Sequence, residues 1–271
     1  MLTFLWLNQQ VGQLFLQSGL VLYGLFVCGL LLLLAMIAAA VPATALSGER
    51  ERRTYELLLV TAASPAGIVL GKWLASVLYL LFLAAAALPL LAVVYLFGGV
   101  PLAMLGKALL LSFFTGLGYG AVGLAYSALV KRSQAAVILS VITVFAFVFG
   151  TLIIAGIVAA SQSVLLPGPE PPPAREPGWY VYLSPLSALP NVLPQHAMVI
   201  PIVGELTRAY YGESCGLTVA VEGPSAPAWF KFALYQSALT VISLLIATLA
   251  VNPLPPWRRW QLQRRGKSRA M

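Results

Sequence analysis

Residues 47–72 read SGERERRTYELLLVTAASPAGIVLGK. Glu49, Arg50, Glu51, Arg52 and Arg53 gather five of the chain's charged side chains, 16 basic and 8 acidic in all, into one knot. On each side of the knot lies a mainly apolar stretch longer than the ~20 residues a helix needs to cross the hydrocarbon core of a bilayer. A charged knot between two such stretches is a connection exposed at one face of a membrane.

The rest of the chain has the same character. Its 271 residues are 60% hydrophobic and 9% charged, with a mean hydropathy of +0.91, where a soluble domain carries about 25% charged residues. Five windows are long and apolar enough to span: about 18–46, 66–97, 103–130, 135–160 and 229–250. Lipid offers the backbone no hydrogen bonds, so such windows must be helical. The expected fold class is an all-α polytopic membrane protein, one transmembrane domain over 1–271.

The net charge of +8 raises the question of nucleic acid, and the placement of the charges answers it. In a five-span topology only Lys107, Arg175, Arg208 and Lys231 fall on one side; the other twelve cations share the opposite side. Cations accumulate on the cytoplasmic side, so 47–65 and the C-terminus are expected inside and the N-terminus outside. The basic tail within 251–271 is expected to lie on anionic membrane lipids. No nucleic-acid partner is expected. Cys28 falls in the first span and Cys215 in the loop 161–228, too far apart in this topology to read as a disulfide.

Local signals punctuate the spans. Residues 1–17 carry Phe4, Leu7, Val11, Leu14 and Phe15 at helical spacing, which predicts an interfacial lead-in. Ser64-Pro65 reads as an N-cap followed by proline at the first helical position, a break and restart of the helix. Pro89 is placed to kink the second span. Gly116 and Gly120 form a small-xxx-small pair that lets another helix approach. The loop 161–228 is proline-rich over 167–177 and more aromatic over 179–215, where a small folded cap or short interfacial helices are expected.

Several chemistries find no residues to carry them. The chain has no Asp and one His, His196, too few for a metal site or a Ser-His-Asp triad. All eight glutamates lie outside the five windows, whereas ion-coupled carriers place ionisable groups inside the membrane. Gly67 to Lys72 only superficially resembles a phosphate loop, having three residues between its glycines and Trp73 after the lysine. Lys72 lies about 10 Å into the second span at 1.5 Å per residue. It reads as an anchor that snorkels back to the inner interface, or as a contact for an anionic headgroup.

As a helix, 49–60 pairs Glu49 with Arg53 and Arg52 with Glu56 at i,i+4, each worth a few tenths of a kcal/mol (about 0.2–0.5). Leu57 to Val60 give it an apolar end. The segment from Ser47 to Leu59, followed by Ser64-Pro65 and Ile68-Val69-Leu70-Gly71-Lys72, resembles the cytoplasmic signature of bacterial ATP-binding-cassette permeases of the exporter type, a G-E-R-E-x-x-T-x-[DE]-L-L-L run leading to I-V-L-G-K. The match is strong over 38–72. It continues more weakly through Leu88-Pro89-Leu90, Gly98-Gly99-Val100, Ser127-Ala128-Leu129 before Lys131-Arg132, and Leu183 to Leu189. It departs at Ala62, where such chains carry proline, and ahead of Ser18, where they carry a further span. A span lying upstream, or one supplied by a partner subunit, is expected on that ground.

The resemblance implies a permease subunit with no nucleotide site of its own, the ATP and Mg being bound by a partner ATPase. It implies a coupling helix over about 49–60 whose Glu49, Arg50, Glu51, Arg52, Arg53 and Glu56 contact that ATPase, and a second permease subunit to complete the transporter. The alternatives are an accessory subunit that docks the ATPase without making a pathway, or a membrane-embedded lipid enzyme, for which no convergent polar cluster is read. No charged pocket lines the spans, which favours an amphiphilic, hydrophobic or peptidic cargo.

Overall fold

A computed structural model of the chain describes residues 2–54, 64–96, 102–165, 178–191 and 228–251. Its long helices follow from the apolar windows. They are α1 (Leu2–Ala43), α3 (Pro65–Ala86), α4 (Leu88–Leu96), α5 (Leu102–Leu129), α6 (Ser133–Phe145), α7 (Thr151–Leu165) and α8 (Ala228–Val251), with the five-residue α2 (Ser47–Glu51) between α1 and α3. Among the described residues there is no strand, and five helical stretches are long and apolar enough to cross a membrane. The chain is an all-α polytopic membrane protein.

The residues predicted to form a separate lead-in continue the first span instead. α1 is one helix of 42 residues, about 63 Å at 1.5 Å per residue and twice the ~30 Å hydrocarbon thickness. The second span is interrupted at Ala87, which caps α3 through its N–H to Ala84 and Ala85. Pro89 lies two residues beyond, where its missing N–H and its ring prevent continuation of the α3 hydrogen-bond ladder. The fourth span also deviates: between α6 and α7 the residues Ala146–Gly150 form a π-helical turn.

α5 is the centre of the bundle. The most apolar window of α5 is 72% buried, against 22–39% for the other four, so the other helices pack around it. Glycines permit this. A Cβ at Gly123 would collide with the backbone carbonyl of Ala39 in α1, and one at Gly118 with the Gln236 side chain of α8. At Gly116 and Gly120 an added Cβ would meet only ordinary contacts, 3.5 Å to Leu80 and 3.8 Å to the same residue. The predicted Gly116/Gly120 pair thus faces a neighbour within the chain, and the tightest approaches occur at Gly118 and Gly123.

At one end of the bundle, two 3₁₀ helices, Trp179–Leu183 and Pro185–Asn191, insert between the spans rather than capping them. Ser184, Ser187 and Ala188 are fully buried. The Leu183 carbonyl accepts hydrogen bonds from Tyr119 Oη (2.7 Å) on α5 and from Gln236 Nε2 (3.2 Å) on α8. Tyr119 lies 17 residues beyond Leu102, about 25 Å along α5, so this irregular backbone is held deep in the bundle. Such backbone is tolerated at membrane depth only where protein covers it and satisfies its polar groups. Tyr182 stacks on Tyr235 of α8 with centroids 5.7 Å apart.

Candidate functional site

The other end of the bundle carries the charged knot. α1 ends at Ala43, and a turn at 44–46 leads into α2, where Ser47 Oγ donates to the Ala43 carbonyl at 2.8 Å. α2 stops after Glu51 in a Schellman arrangement, the Arg53 N–H bonding to Arg50 O (3.2 Å) and the Thr54 N–H to Glu49 O (3.0 Å). The residue at the left-handed position is Arg53, φ 57°, where glycine is usual because other side chains meet a steric cost there. In the described residues, then, the segment predicted as a helix over 49–60 is helical over Ser47–Glu51 and turns out of the helix at Arg53. Glu56 and the rest of 55–63 lie outside the described residues.

Four contacts fix α2 to the spans. Ser127 Oγ, buried near the end of α5, accepts from the backbone N–H groups of Leu46 (2.8 Å) and Ser47 (3.0 Å). These are among the donors that the first turn of a helix leaves without partners. Arg50 Nη1 donates to the Ala128 carbonyl at 2.8 Å, placing a cation at the negative C-terminal end of α5. Glu51 does the converse at α6. Its carboxylate accepts from the Ser133 N–H at 2.8 Å and from Ser133 Oγ at 2.6 Å. The α6 N-cap residue, Arg132, contributes no side-chain cap of its own, so the anion at this positive helix end comes from α2. Glu49, finally, accepts from Lys72 Nζ of α3 in a half-buried ion pair.

Arg50 and Glu51 are adjacent in sequence, and the α5–α6 turn presents its two helix ends within four residues, Leu129 to Ser133. A basic residue next to an acidic one therefore matches both dipoles at once. The Ser133 hydroxyl and N–H, with the Arg132 charge as a lesser contribution, hold the Glu51 carboxyl below the ordinary glutamate range. Glu49 Oε2 is buried and accepts no hydrogen bond among the described residues.

The predicted site residues thus separate. Glu49, Arg50 and Glu51 are turned to α3, α5 and α6. Arg52 and Arg53 are exposed. Glu49 pairs with Lys72 and not with Arg53, so Lys72 is directed at α2. Ser64 (φ −67°, ψ 148°) caps α3 by accepting from the Gly67 N–H at 3.1 Å, with Pro65 as the first helical residue. That bond also puts Gly67 in the first turn of α3. Sequence reasoning gave Ser127 no role beyond the weaker family likeness and missed Ser133, although each is a small hydroxyl residue at a span end flanking the α5–α6 turn. Among the described residues no group of three His, Cys or Glu side chains could hold a metal ion.

The model of the ABC-2 family transporter proteins matches residues 6–252, most of the chain. The chain belongs to the ABC-2 family of transporter proteins. This ABC-2 protein is a membrane permease component of an ABC transporter, and membership implies association with the ATPase subunits of such a transporter. No curated protein sequence matches it. The match extends from α1 to the end of α8, so the charged knot and the buried 3₁₀ segment both belong to the ABC-2 domain.

Proposed function

We propose that this chain is the transmembrane half of an ABC exporter, in which α2 and the left-handed turn that follows it, Ser47 to Thr54, form the coupling element that docks on a separate cytoplasmic ATPase. The observation that carries the reading is the fixation of α2 to three spans at once, through Ser127 and Ala128 on α5, Ser133 on α6 and Lys72 on α3. A solvated charge run would have no need of such ties. A lever must have them, because a push at α2 can move the spans only through contacts that do not slip. ATP and Mg bind the partner, closure of two ATPases pushes two coupling helices, and paired permease subunits move between inward- and outward-facing states. In this arrangement 47–65 and the C-terminus are cytoplasmic, the N-terminus is outside and the loop 161–228 is extracytoplasmic.

An accessory subunit without a pathway of its own is the second reading. It is favoured only by the burial of α5, whose most apolar window is 72% covered by the rest of the bundle. The test is expression of the full chain with the ABC ATPase encoded nearest to it, followed by affinity purification. A stoichiometric complex whose ATP turnover depends on the permease supports the coupling reading. ATPase that binds and turns over identically with and without this chain contradicts it.

A further inference from the structure

We propose that Arg52 and Arg53 at the end of α2, together with Lys131 and Arg132 in the α5–α6 turn, form a single basic face that docks an acidic groove on the partner ATPase. The proposal rests on the coupling reading and specifies the chemistry of its interface. The two segments are 78 or more positions apart in sequence, yet the Glu51–Ser133 hydrogen bonds, at 2.8 and 2.6 Å, join them side by side. Arg52 and Arg53 follow Glu51 directly, and Lys131 and Arg132 directly precede Ser133. All four side chains are exposed. The ion pair among the described residues is elsewhere, between Glu49 and Lys72.

Among the described residues, the two glutamates that could neutralise this face are already engaged. Glu51 is held by Ser133, and Glu49 is turned away toward α3. Among the described residues, four positive charges therefore stand against one hydrogen-bonded carboxylate. Three of them are arginines, whose planar forks bind carboxylates in bidentate fashion. Arg53 also occupies a left-handed backbone position, φ 57°, that local sequence does not favour for arginine, and strain of this kind collects at functional sites. An acidic protein groove fits this face better than a lipid surface because the cations are held on a rigid frame. Ser127 and Arg50 lock α2 to α5, and Glu51 locks it to α6. Diffuse attraction to headgroups requires no such registration.

The experiment reconstitutes the full chain in nanodiscs of phosphatidylcholine alone and of phosphatidylcholine with phosphatidylglycerol. It measures the Kd for the co-purifying ATPase at several salt concentrations. The double reversals Arg52→Glu/Arg53→Glu and Lys131→Glu/Arg132→Glu should each weaken binding by about tenfold or more and flatten its salt dependence, the behaviour of interfacial charge pairs. The effect should be the same in both lipids. The neutral pairs Arg52→Gln/Arg53→Gln and Lys131→Gln/Arg132→Gln provide the same comparison if the reversals fail to insert. Unchanged Kd in either pair overturns the proposal, as does a loss seen only in anionic discs, which would place this face on lipid. If the unmodified chain captures no ATPase at all, the coupling reading fails and the basic docking face fails with it.

Discussion

Lys72, about two turns into α3, donates to the carboxylate of Glu49 in α2, so that the charged helix is joined to a span 23 residues further along the chain. Each side chain is about a quarter exposed, 26% and 27%, and hydrogen bonds between charged groups in such settings contribute about 1.5–3 kcal/mol. Lys72→Met should therefore lower the thermal stability of the purified chain. The swap Glu49→Lys/Lys72→Glu should recover most of the loss. A swap no better than the worse single variant would show that the two residues do not act as a pair.

Ser127→Ala removes the acceptor shared by the Leu46 and Ser47 N–H groups. Leaving buried donors bare costs about 1–3 kcal/mol. Stability should fall by that amount, with insertion and expression retained. Ser127→Thr, which keeps the hydroxyl, should fall less. Equal losses in the two variants would mean that packing and not hydrogen bonding is being measured.

At Gly123 an added Cβ meets the backbone carbonyl of Ala39, whereas at Gly116 it meets Leu80 at an ordinary 3.5 Å. Overpacking of this kind costs about 1–3 kcal/mol. Gly123→Ala is expected to destabilise the α1–α5 contact by that much and Gly116→Ala to be nearly neutral, as read by thermal unfolding in detergent. The reverse order would contradict the packing described.

Glu51 has a lowered pKa when docked on Ser133. A carboxyl with a depressed pKa contributes fully above its free value, about 4.3, and its contribution disappears as pH falls through the lower docked value. The α2–α6 contact should therefore be flat from neutral pH down to the ordinary glutamate range and weaken only below it. Protection of Ser133 against amide exchange should show this acid limb, and Glu51→Gln should abolish it.

The membrane fold was legible because hydropathy acts over whole windows: lipid demands about 20 apolar residues and a helix, and these segments supply both. Local punctuation was less decisive. Residues 1–17 carry an amphipathic pattern, yet α1 runs through them from Leu2 without a break. The candidate site was legible as a charged cluster but not in its pairings. Glu49 and Arg53 have the spacing for an i,i+4 pair, and the left-handed turn at Arg53 ends the helix before that spacing can be used. The actual partners, Lys72, Ala128 and Ser133, are set by where α3, α5 and α6 end. That is a tertiary relationship carried by no local window. Ser127 illustrates the same limit, since a serine at a span end acquires a role only when another helix starts against it.

The most direct test of the lever follows motion from one end of the bundle to the other. Ser187, buried in the second 3₁₀ helix, becomes the single cysteine in a chain whose Cys28 and Cys215 are replaced by serine. Its labelling by a membrane-impermeant maleimide is measured in the ATPase complex with and without vanadate-trapped nucleotide. Trapping should change the labelling rate in the otherwise unmodified chain. Ser127→Val and Lys72→Met should retain the ATPase but lose that change. An undiminished change in both variants would show that α2 does not transmit motion through these ties.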